Sequence, residues 1–142
     1  MKKLLIAALV AVNLVFSGCA VLTPAERESI SELVWQMEKT VLGAQATAPE
    51  LVASGDLSER DAAWIDEQAN KVLPILKAAR QIADGALEGD LLTQLDLTVE
   101  ALRFAREHAP SPKAAEVIGR VTAAVVFYRQ TVAAEQMRGD GG

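Results

Sequence analysis

Between residues 62 and 86, apolar side chains return every third or fourth place without a miss: Ala62, Ile65, Ala69, Val72, Leu76, Ala79, Ala83 and Ala86. An α-helix repeats every 3.6 residues, so this spacing puts all of them on one face. A strand would instead need alternation in steps of two, which no stretch of the chain sustains. A one-sided apolar helix is stable only when that face is covered. Much of the stripe is alanine, so the covering helix can approach closely. Pro74 lies inside the stripe. Proline removes one helical hydrogen bond, and because the stripe keeps phase across it, a kinked helix is expected rather than two separate ones.

Ser58 is placed as the N-cap of this helix, with Glu59 and Asp61 in the first turn, where acids favour the helix dipole. Three further segments read the same way. Ile30, Val34, Met37, Val41, Ala44 and Ala48 form a stripe after Thr23, Pro24 and Glu26, a Thr-x-x-Glu capping box with proline at the first helical position. Pro49 is expected to end that helix near Ala48, and residues 49–57 read as a connector. A third helix is expected from about Asp90 to His108, with Leu91, Leu95, Leu102, Ala105 and Ala109 on one face and Leu92, Leu97, Val99 and Phe104 widening it. Ser111 and Pro112 open a fourth, with the stripe Ile118, Val121, Val125, Tyr128 and Val132. The connections are short, so an antiparallel bundle of about four helices is expected, all-α. The heptad-like spacing is also compatible with a homo-oligomer.

The first residues follow different rules. Met1-Lys2-Lys3 is basic, Leu4 to Phe16 is apolar apart from Asn13, and small residues follow at Ser17 and Gly18. That order describes a cleaved secretory signal helix. The apolar run is shorter than the roughly 17–25 residues of a spanning helix. Cys19, the one cysteine of the chain, comes next. An ordinary signal peptide with an incidental cysteine, or an uncleaved anchor, would share these features.

Val15-Phe16-Ser17-Gly18-Cys19 resembles the lipobox of bacterial lipoproteins, with Phe16 where the family usually has leucine. The resemblance covers the first twenty residues only. It implies cleavage between Gly18 and Cys19, a diacylglycerol on the Cys19 thiol and acylation of the new amino group. Ala20, not an acid, follows Cys19, which by the same resemblance favours the outer membrane, on its periplasmic face. The chain then divides into a signal peptide (1–18), a lipidated tether (19–22), a helical domain (23–137) and a flexible tail (138–142).

With Lys2 and Lys3 gone, the formal charge falls from −5 to −7. Such a balance argues against nucleic acid as a partner. With Cys19 acylated no thiol is left for a disulfide, so packing alone must hold the domain. Catalytic parts are scarce. His108 is the one histidine, placed in the last turn of the third helix, where a cation is favoured. Asp84, Glu88 and Asp90 cluster in a glycine-containing turn without EF-hand spacing. No Gly-x-Ser-x-Gly elbow, phosphate loop or dinucleotide fingerprint occurs. Trp35 and Trp64, each in the N-terminal third of its helix, are expected to be buried at a bundle end; the alternative is an exposed anchor for a partner or the lipid interface.

The expectation is a non-enzymatic module without a cofactor or metal, held at the membrane through Cys19 and acting on a protein partner in the cell envelope, as an accessory, inhibitor, assembly or exclusion factor. It is compatible with a phage or prophage origin. The alternative is a carrier of a small apolar ligand, held in a cavity between helices near Pro74.

Overall fold

The computed structural model describes residues 24–140; Gly18, Cys19 and the cap at Thr23 lie outside them. Four helices follow one another: α1 (Pro24–Ala53), α2 (Glu59–Ala83), α3 (Leu91–Glu107) and α4 (Pro112–Asp140). Each packs on its neighbour in sequence, α1 also packs on α4, and α2 touches α4 across the middle. This is the four-helix arrangement expected of short connections, with successive helices reversing direction. Among the described residues no helix is long and apolar enough to cross a membrane.

The core is made by the stripes. Val34 and Met37 from α1, Ile65 and Leu76 from α2, Leu95 and Leu102 from α3, and Val125 and Val132 from α4 are all buried. Most join one apolar cluster that draws on every helix. A smaller cluster of Ala48, Leu57 and Ile65 closes the end beneath the α1–α2 turn, with Trp64 and Val117 against it. Ala69 and Ala79 are buried, which is where α2's small side chains let its neighbours come close. The breadth expected of α3 is only partly used: Val99 is buried, whereas Leu97 and Phe104 are exposed.

Two helices end by the same device. After α1, Gly55 takes a left-handed φ of 83°. The Asp56 N–H then donates to the Leu51 carbonyl at 2.8 Å and the Gly55 N–H to the Val52 carbonyl at 3.0 Å. After α2, Gly85 takes φ 79°, with Ala86 donating to Gln81 at 2.8 Å and Gly85 to Ile82 at 3.1 Å. Both are Schellman caps, which satisfy carbonyls that the helix end would leave open.

The N-termini are capped as the sequence suggests. The Asp61 N–H donates to Ser58 Oγ at 3.0 Å, and the Ala114 N–H donates to Ser111 Oγ at 3.1 Å. Ser111 Oγ in turn donates to Asp61 Oδ2 at 2.9 Å. The starts of α2 and α4 are thus tied together at one end of the bundle, and this pairing is why Asp61 tolerates burial.

Two boundaries differ from expectation. Pro49 does not end α1, which continues to Ala53. Proline costs the helix one bond, but the extra turn brings Leu51 and Val52 onto the smaller cluster, and that burial outweighs the local preference. Pro74, by contrast, lies inside one continuous α2 from Glu59 to Ala83, as the unbroken phase of the stripe implies. Arg138 to Asp140 belong to the last turn of α4 rather than to a separate tail.

Pro74 is exposed, so replacing it sacrifices no packing. Pro74→Ala restores a backbone donor to the middle of α2 and is expected to stabilise the domain by about 1–3 kcal/mol. Chemical denaturation checks this: an unchanged or lowered midpoint would mean that the proline is matched to its neighbours.

Candidate functional site

Of the residues with candidate chemistry, Gly18 and Cys19 lie outside the described residues. His108 is placed as expected, at the C-cap of α3. Its Nδ1 donates to the Phe104 carbonyl at 2.8 Å, and its ring stacks on Phe104 with centroids 4.1 Å apart. The imidazole is engaged by its own helix end. Asp84, Glu88 and Asp90 stay in one exposed turn but do not converge. Asp84 accepts from Ser31 of α1 and Asp90 from Thr93 of α3. Among the described residues no group of three or more His, Cys, Asp or Glu is arranged to hold a metal ion.

The two tryptophans part company. Trp64 packs where the two apolar clusters meet, towards the end of the bundle beneath the α1–α2 turn. Trp35 lies instead in a groove between α1 and α2, with the Arg80 guanidinium 4.7 Å from its ring centre and Lys39 Nζ at 5.4 Å. A cation over the ring face is attracted by the ring quadrupole. The groove encloses about 500 Å³, and Glu28, Ser31, Glu32, Arg80 and Asp84 line it beside Trp35. Among the described lining residues Glu28, Glu32 and Asp84 are carboxylates and Arg80 is a cation, which makes this part of the groove acidic, with an aromatic wall.

Beside Arg80 lies an acid whose burial no sequence pattern announces. Glu38 is 5% exposed. Its Oε2 is 3.0 Å from Arg80 Nε, an ion pair outside hydrogen-bond geometry, for no hydrogen bond reaches that oxygen from the described residues. Burial pushes the Glu38 carboxyl above the ordinary glutamate range, while Arg80 and then Lys77 pull it back. Burial is the stronger effect, so the neutral acid suits this position better than the carboxylate does. The signal in the sequence is slight: Glu38 directly follows Met37, and an i, i+1 neighbour sits about 100° round the helix, at the edge of the buried face.

Because its folded pKa is raised, Glu38 adds stability below its ordinary value of 4.5, and this contribution is lost as the pH rises through the folded value. Glu38→Gln mimics the neutral acid. It is expected to raise the melting temperature at neutral pH, with the gain vanishing in acid. Arg80→Ala should destabilise by about 2–3 kcal/mol at neutral pH, since it strands a buried carboxylate and uncovers Trp35. Melting curves of both variants across pH test the pair: a Glu38→Gln variant less stable than the parent at neutral pH would mean that the ion pair outweighs its desolvation.

Comparison with protein-family models, curated proteins and solved structures finds no match to this chain.

Proposed function

We propose that the chain is a bacterial lipoprotein, acylated at Cys19, whose helical bundle works as a non-enzymatic interaction module on a protein partner in the cell envelope, with the periplasmic face of the outer membrane favoured. The observation that carries this reading is the sequence order Val15-Phe16-Ser17-Gly18-Cys19 set just ahead of α1, with only residues 20–23 between. Two or more acyl chains anchor a protein stably where one does so only marginally. Anchoring raises the local concentration of the bundle at the surface, so even a modest affinity for a neighbouring envelope protein becomes effective. The acidic groove walled by Trp35 and Arg80 offers what protein contacts commonly use, an aromatic ring and an arginine side by side.

The carrier alternative lacks comparable support. Along the stripe beside Pro74, where that alternative would place a cavity, Val72, Leu76 and Ala79 are buried in the main cluster.

Cys19→Ser removes the thiol that takes the lipid. Cells expressing this variant should show no incorporation of radiolabelled palmitate into the protein and should accumulate the uncleaved precursor. Labelling equal to that of the parent would refute the anchor.

A further inference from the structure

Resting on the acylation of Cys19 proposed above, we infer that the bundle stands end-on at the bilayer, with Leu87 of the α2–α3 turn and Met137 of the last turn of α4 entering the lipid interface. The first support is an internal comparison. The turns after α1 and α2 are built alike, with a left-handed glycine, the same pair of capping bonds and a leucine two residues beyond the glycine. The leucine N–H makes the same contact in both, Leu57 to the Leu51 carbonyl at 3.1 Å and Leu87 to the Gln81 carbonyl at 3.2 Å. Their side chains nevertheless have opposite fates. Leu57 is 5% exposed and fills the smaller cluster, while Leu87 is 45% exposed. The two ends of the bundle share a turn geometry, and only one tucks its leucine in.

The second support is reach. The open end is the one where α1 begins. Ile30 of α1, Ile82 of α2, Leu91 of α3 and Gln136 of α4 line one shallow depression there, together with Gly85 and Gly89 of the turn. Met137, beside Gln136, is 73% exposed. From Cys19 to Pro24 the chain spans at most about 17 Å. An acylated Cys19 therefore keeps this end beside the bilayer, while the opposite end of the 30-residue α1 lies about 45 Å away. Leu42, Leu97 and Phe127, also exposed, lie along the sides, and Phe104 stands in the last turn of α3, towards the opposite end. Glu88 and the other acids of the turn keep the contact shallow: the leucine and methionine enter the headgroup boundary while the carboxylates stay in water.

Acylation consumes the Cys19 thiol, so a cysteine placed elsewhere is the one site that a thiol-reactive fluorophore can label. Acylated full-length protein carrying Leu87→Cys, Met137→Cys, Asp56→Cys or Phe104→Cys, each labelled with an environment-sensitive dye, is reconstituted into vesicles of zwitterionic phospholipid containing a lipid-borne quencher. The end-on pose predicts a blue shift and strong quenching at 87 and 137, and neither at 56 or 104. Equal signals at 87 and 56, or quenching at 104 matching that at 87, would overturn it. Failure of the protein to float with vesicles would overturn the anchor as well, whereas flotation without quenching at 87 and 137 overturns the end-on pose alone.

Discussion

Burial of four apolar stripes against one another is what the rest of this structure depends on. The single cysteine of the chain can close no internal disulfide, so the free energy of folding rests on side chains such as Met37, Leu76, Leu95 and Val125, which lose all contact with water. Everything else in the fold answers to that need. The helices are long because a short stripe buries too little. α1 runs past Pro49 because Leu51 and Val52 still have apolar surface to cover. The two Schellman turns reverse the chain tightly enough that consecutive stripes face each other.

Polar groups inside the bundle are admitted on unequal terms. Thr98 and Thr122 are buried at little cost, since their hydroxyls donate to the carbonyls of Gln94 and Ile118 four residues back, at 3.2 Å and 2.7 Å. Asp61 is satisfied by Ser111 and joins two helix starts. Glu38 differs: its counter-charge is near, yet its oxygen lacks a hydrogen bond, and burial outweighs attraction. This buried acid lies beside Arg80, whose guanidinium also meets Trp35 in the groove. Arg80 is thereby held between a buried acid and an aromatic ring, fixed in place at the surface.

Periodicity made the helices and most of the core legible, because Ile30 through Val132 recur on the spacing that a helix imposes. Capping was legible too: Ser58 and Ser111 hold the positions their side-chain chemistry suits. What escaped depends on contacts between distant residues. Whether Pro49 ends a helix is decided by the cluster that the following turn reaches, not by proline's neighbours. Phe104 lies within the apolar breadth of α3 but faces solvent, since a helix at the rim of a bundle has fewer sides to cover than its composition suggests. Glu38 reads as a surface acid until Arg80, on another helix, is brought beside it. Leu57 and Leu87 both stand two residues after a left-handed glycine, and the presence or absence of a covering cluster separates them. Cys19 and Gly18 lie outside the described residues, and their role is a proposal that rests on their sequence order.

If Cys19 is acylated as proposed, a bundle with an aromatic groove along its side and two apolar side chains at its base would offer a partner a defined orientation: the base towards lipid, the groove facing laterally along the membrane. That picture hangs on the N-terminus of the mature protein. Mass spectrometry of the N-terminal peptide from protein purified from bacterial membranes tests it most directly. The expected peptide begins at Cys19 and carries the added mass of a diacylglycerol and an amide-linked acyl chain; a peptide beginning at Met1, or an unmodified Cys19, would contradict it.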